Sequence, residues 1–420
     1  MNQSRIRLSG DWPAFSVSVV LVSVALVLAL WVGGCGADED VILGPADQGA
    51  EEDVFAWLWA FDADEDSLRV YDANDGTLRA TFFAQPHPVI RELIGGPPGE
   101  PGVYMGSGGT AFAFSAGFVS HGDHAHMELP RDRGRIATGG GNTHLSADAH
   151  GQTVCFANDG DQTFTLVDTE TLAPTTVSHG SPHSACVVED GVLLATHMHE
   201  KWARLIDIQA DTILAEVAID TLVHGEAFHH ETGRVFLPCL HGIDIVGLEE
   251  ATCLGTIAYP GAGRVNFLFQ GHDSERVLAP VRLGEGHAAG VWILDMATRE
   301  LQDLPMAGAA LAWNRGGGRI SVSADGSTAV LTDLEQARAY VVDLAAGSYQ
   351  SLNTAEAAMP CATDHGGRRI WLLDPHDGAI HCRHHHEGLW EEEEGFTIHA
   401  GSDWIFVTSP DPAMAIIRDY

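Results

Sequence analysis

The chain has 420 residues, of which 45% are hydrophobic and 19% charged, so it can bury a large core and is not a disordered polymer. Its 58 acidic residues against 22 basic ones give a net charge of -36, a sign that repels phosphate backbones and excludes nucleic acid as a partner. The 47 glycines suit a fold with many tight turns, and the 23 histidines, gathered in clusters, are the second bias of the composition.

In chain order, the first feature is a targeting segment. Arg5 and Arg7 precede an apolar run over 15–32, broken only by serines and followed by Gly33-Gly34-Cys35. The end of this segment resembles the lipobox of bacterial lipoprotein signal peptides, in which the cysteine is lipidated and becomes the mature N-terminus. The expected organisation is a signal peptide over 1–34, an acidic tether over 35–53 beginning at lipidated Cys35, and a folded body over 54–420. The alternative is a single membrane-spanning helix, for which the run is nearly long enough. Gly36 follows Cys35 where inner-membrane retention would favour aspartate, so a lipid anchor on the periplasmic face of the outer membrane is expected. The chain is exported on either reading. In an oxidising compartment the remaining Cys155, Cys186, Cys239, Cys253, Cys361 and Cys382 are permitted to form disulfides, with no pairing fixed by the sequence. No C-x-x-C pair occurs among them.

Beyond the tether one pattern recurs: an apolar strand ending in aspartate, a short turn, and a second strand. It reads at 68–72, 164–168, 203–207, 291–295 and 339–343, with weaker copies at 111–118, 243–247 and 379–384. The interval of about 40–50 residues is that of a propeller blade of four antiparallel strands. The expected fold is all-β, a single β-propeller of eight blades, or seven if one weaker copy is an elaborated loop. The segment 403–407 is expected to close the ring by pairing with the N-terminal strand, which removes exposed sheet edges. The innermost strand of each blade lines a central channel, so residues far apart in sequence meet at its mouth.

The densest candidate metal site is His121-Gly122-Asp123-His124-Ala125-His126. On a strand, His124 and His126 share a face and can chelate one ion, with Asp123 as a ligand or an orienting partner. The alternative is a polar loop with incidental histidines. Single histidines then open the segments expected to be innermost strands: His144, His183, His224 and His272. Zinc takes about four ligands, so only some of these can bind one ion. Neutral imidazole with carboxylate suits Zn2+, with copper(II) and nickel as alternatives, and argues against copper(I). His197-Met198-His199 and the run His381 to His386 around Cys382 read as surface clusters, the second as either a loose metal tract or a solvated loop.

The order of 121–126, His144, His183, His224-Gly225-Glu226-Ala227 and Gly271-His272-Asp273-Ser274 resembles that of AztD-type periplasmic zinc metallochaperones. That family is built on a propeller and delivers zinc to the solute-binding protein of a zinc ABC transporter. The resemblance covers most of the chain from about residue 54. It implies a zinc-binding protein that is not an enzyme and whose partners are zinc ion and such a binding protein. The lipobox and the tract near Cys382 depart from the family, so zinc binding transfers more readily than delivery. The rival readings are a zinc-dependent hydrolase, with Glu226 as base, and a protein-binding scaffold that needs no metal. No C-x-x-C-H or G-x-S-x-G motif supports haem attachment or a serine nucleophile.

Overall fold

The structure, a computed structural model, describes residues 56–408 apart from 84–89, 95–101, 121–124, 149–150, 180–185, 190, 222, 272–273, 285 and 314–317. All described residues belong to one compact unit, Val41–Tyr420. The expected bounds of signal and tether, and Cys35 itself, lie outside the described residues.

Eight antiparallel sheets follow one another, seven with four strands and one with a fifth short strand. This is the eight-bladed propeller, and the seven-bladed alternative falls. All eight copies of the pattern found in the sequence form the third strand of a blade, for example Thr163–Asp168 in blade 3 and Arg338–Asp343 in blade 7. The recurring aspartate has a local cause. The Asp168 carboxylate accepts the Thr171 N–H at 2.7 Å, Asp295 that of Thr298 at 2.8 Å, and Asp343 that of Ala346 at 2.7 Å. Each aspartate carbonyl also accepts an N–H four residues on, from Leu172, Arg299 and Gly347. The side chain therefore closes the turn that the strand runs into. Bonds from the Thr171 N–H and hydroxyl also hold Asp168 below the usual carboxylate range.

The second and third strands are buried on both faces because each blade packs between two others. Thr153–Asn158 and Thr163–Asp168 are almost wholly buried, whereas the outermost strands Glu300–Pro305 and Ser348–Asn353 alternate towards solvent. The ring closes where Trp404–Thr408, the innermost strand of blade 1, pairs with Trp57–Asp62. There Trp59 stacks on Phe406 with ring centroids 5.6 Å apart, and its indole N–H donates to the Thr408 hydroxyl at 2.9 Å. The expected closing segment is this strand. Helix is confined, among the described residues, to one 3-10 turn at His230–Thr232. No helix among them is long and apolar enough to cross a membrane.

The innermost strands of blades 2 to 8 are Ile90–Ile94, Asn142–Ala147, Cys186–Glu189, Ala227–His229, Phe269–Gln270, Ile320–Val322 and Cys361–Thr363. The chain enters each of them at one end of the ring, the upper end, where the turns between second and third strands also lie. Turns between first and second strands, and between third and fourth, lie at the lower end. Cys155, Cys239, Cys253, Cys361 and Cys382 are free. They sit in different blades or strands, and the permitted disulfides do not form among them.

Candidate metal centre

His144 enters the channel wall as the third residue of Asn142–Ala147 and is 8% exposed. Its position is fixed from the upper end. The Asn142 amide donates to Asn158 Oδ1 at 2.6 Å, and Asn142 Oδ1 accepts the Gly109 N–H at 3.3 Å. Between Asn142 and His144 the pairing with the next strand shifts register. Such a bulge re-aims the side chain that follows it. His224 comes from the connection into blade 5, half-buried between buried Val223 and buried Glu226. Phe267, on the approach to blade 6, packs against the His224 ring at 4.6 Å between centroids.

The rings of His144 and His224 lie 5.7 Å apart between centroids, inclined at 66°. Blade 4 separates their blades, so only the curvature of the ring brings them together. Two imidazoles on one tetrahedral zinc, with zinc–nitrogen bonds of about 2 Å, have centroids roughly 5 Å apart. The observed separation is within about 1 Å of that value. Of the sequence-predicted ligands, these two are brought together.

His121, Asp123, His124, His183 and His272 lie outside the described residues. His126 falls on a short strand, Ala125–Met127, which pairs with Phe118–Ser120 so that His126 faces Val119. This hairpin is inserted between Thr110–Ser115 and Arg131–Ala137, the third and fourth strands of blade 2. Gly117 makes its base possible. At φ 79° it approaches so closely that a Cβ would lie 2.1 Å from the Glu128 carbonyl oxygen, and its own carbonyl accepts the Glu128 N–H at 2.6 Å. Phe118 and Met127 join an apolar cluster with Trp57, Phe406 and Ala324, which packs the hairpin onto the ring. The hairpin is rooted at the lower end of blade 2, opposite the end at which His144 and His224 enter. The expectation that position 272 opens an innermost strand is corrected. The innermost strand of blade 6 is Phe269–Gln270 and ends before that position.

Three other histidine groups are resolved by their neighbours. His197 and His199 share the turn before Trp202–Asp207, and the His199 N–H donates to His197 Nδ1 at 3.2 Å, which occupies that nitrogen. The run His381 to His386 is not a loop but part of Ala379–His386, the third strand of blade 8. A set missed in the sequence is Asp62, Glu65 and His399, whose ligand atoms approach one another at the upper end of blade 1. His399 Nε2 lies 3.3 Å from Asp62 and 3.6 Å from Glu65. Arg69 already bridges both carboxylates, at 3.3 Å from Asp62 and closer to Glu65, so a guanidinium supplies the cation there.

No family model matches the chain, and no curated protein matches it in sequence. Solved structures do. The apo form of AztD from Citrobacter koseri superposes with a TM-score of 0.69 at 16% identity, over 84% of this chain and 98% of that one. A second structure of Citrobacter koseri AztD gives the same score and identity over 97% of its length. The dihydro-heme d1 dehydrogenase NirN gives a TM-score of 0.57 at 11% identity, over 88% of this chain and 78% of that one. The family suggested by the histidine motifs is thus also the one whose architecture this chain shares: it folds as AztD does.

Proposed function

We propose that this protein binds zinc at the upper mouth of its channel and carries it in the exported compartment, as a metallochaperone of the AztD kind would. The observation that carries the reading is the His144–His224 pair, two buried or half-buried imidazoles from non-adjacent blades at chelating separation. His183, on the connection into the blade between them, is the proposed third ligand, and buried Glu226 the proposed carboxylate. The hairpin that bears His126 is rooted at the lower end of blade 2, so His126 is not proposed as the fourth corner of this site.

The proposed partner is the solute-binding protein of a zinc transporter, with lipidation at Cys35 holding the propeller at the periplasmic face of the membrane. No catalytic role is proposed. The test is a zinc competition titration on untagged protein, followed by mixing with the candidate binding protein and measuring metal in each. Tight zinc that His144→Ala or His224→Ala abolishes supports the reading. No tight zinc in the wild type sinks it in favour of a metal-independent scaffold.

A further inference from the structure

At the lower end of the ring, between blades 5 and 6, a cavity of about 270 Å³ is lined by Phe228, His229, His230, Glu231, Gln270, Ser274 and Glu275. We infer that it is a second divalent-cation site, with His229 Nε2 and the Glu275 carboxylate as its first two ligands. His229 ends the innermost strand of blade 5 and is 5% exposed. Its Nδ1 lies 2.8 Å from the Thr232 hydroxyl, while its Nε2 is buried and makes no hydrogen bond. With Nδ1–H donated to the hydroxyl, Nε2 keeps its lone pair facing a polar space, which is the arrangement of a metal-ligating histidine. Burying such a nitrogen with no donor costs about 1–3 kcal/mol, and a bound cation removes that cost.

Glu275 Oε1 lies 3.9 Å from His229 Nε2, on a carboxylate 58% exposed. Two ligand atoms on one tetrahedral zinc, at bonds of about 2.1 Å, are roughly 3.4 Å apart. An exposed glutamate closes that gap by a small rotation. The backbone beneath is preorganised. The Gln270 amide oxygen accepts the Phe228 N–H at 2.8 Å, and its NH2 donates to the Phe228 and Ser274 carbonyls at 2.8 and 3.0 Å. This clamps the two blades' turns together. The Ser274 hydroxyl donates to the Arg276 carbonyl at 2.6 Å and accepts the Arg276 N–H at 2.9 Å, which fixes the turn that presents Glu275. His230 and Glu231 supply further donors on the same wall, with the His230 ring edge-on to Phe228 at 4.4 Å. With the His144–His224 pair at the other end, the ring carries a metal site at each mouth.

The inference shares with the proposed function the premise that the folded ring takes up zinc, but it uses none of the same ligands. The experiment titrates Zn2+ into the full untagged chain against a chromophoric chelator and counts equivalents in the wild type and in two pairs of variants. Glu275→Gln, at an exposed position, and His229→Ala are each expected to remove one equivalent and leave the remaining affinity unchanged. His144→Ala and His224→Ala are expected to remove a different one. Retention of every equivalent by Glu275→Gln, and by His229→Ala where that variant folds, overturns the lower site. If Glu275→Gln loses an equivalent while His144→Ala and His224→Ala lose none, the lower site stands and the upper-mouth reading fails.

Discussion

The histidine pair at the upper mouth and the histidine run in blade 8 look alike in composition and differ in almost everything else. His381, Cys382, Arg383, His384, His385 and His386 are contiguous, but they lie on one strand, so alternate side chains point to opposite faces and the run is split in two. Each half is already engaged. His385 packs on Trp390 at 5.3 Å between centroids. His384 Nδ1 lies 3.3 Å from Glu393, which also takes the Cys382 thiol at 3.0 Å and an Arg369 contact at 3.2 Å. Burial pushes the Cys382 thiol up, and the Glu393 carboxylate pushes it further, which disfavours the thiolate a metal would need. His144 and His224, by contrast, come from different blades and converge because the ring is closed. Density along a sequence therefore says less about which side chains the fold brings together than the position of a residue within its repeat.

The largest expected effect follows from that contrast. His144→Ala or His224→Ala should weaken zinc binding by at least about a hundredfold, the upper range for loss of a partner that merely orients a ligand. His385→Ala, in the blade 8 run, should change it less than about threefold. Equal losses from both regions, measured by chelator competition, would erase the distinction between them.

Next in size is the coupling of metal to fold. An ion that binds only the folded ring at a hundred times its dissociation constant adds about 2.7 kcal/mol. Thermal unfolding with and without zinc should show a rise in Tm for the wild type. The double variant His144→Ala, His224→Ala should lose most of that rise, and an unaltered rise would place the stabilising ion elsewhere.

Protons should compete at the upper mouth, because imidazole binds metal only when neutral and its ordinary pKa is about 6.5. Zinc affinity should fall steeply below roughly pH 6. A flat profile from pH 7 to pH 5 would assign the ion to carboxylates alone.

The smallest effect concerns an outlying histidine. His241 Nδ1 contacts Asp220 at 2.6 Å on the upper end. Burial pushes Asp220 up, but the Thr221 N–H, His241 and Lys201 outweigh it, and the net shift is downward. A carboxylate held below its unfolded value stabilises the fold above that value, and the contribution is lost as pH falls through the folded one. Asp220→Asn should therefore cost under about 1 kcal/mol near neutral pH and nothing in strong acid, without altering zinc affinity. Denaturant titrations at two pH values check this, and a pH-independent cost would contradict it.

The repeat was legible because its signal is local. An aspartate that closes a turn by bonding N–H groups two or three residues on must recur wherever that turn recurs, and it did so in Asp72, Asp168, Asp207, Asp295 and Asp343. His144 and His224 were legible for a related reason: both precede or open an innermost strand. The lower site was not. His229 and Glu275 belong to successive blades, so neither turn alone marks the cavity between them. A signal was nevertheless present. Ala227 pairs with Phe236 and Phe269 with Leu278 in the same register, so the two turns that follow occupy equivalent places, and both are rich in histidine and acid. The start of the blade 6 strand was misjudged because Phe267, Leu268 and Phe269 form an unbroken apolar run, which has no alternation to fix the register.

The central claim is that His144 and His224 hold one zinc ion between them, and crystals of the zinc-loaded protein measured on both sides of the zinc absorption edge test it most directly. The account predicts an anomalous peak about 2.1 Å from a ring nitrogen of each histidine. A peak at Asp62, Glu65 and His399, or along His381 to His386, with none between His144 and His224, would contradict it.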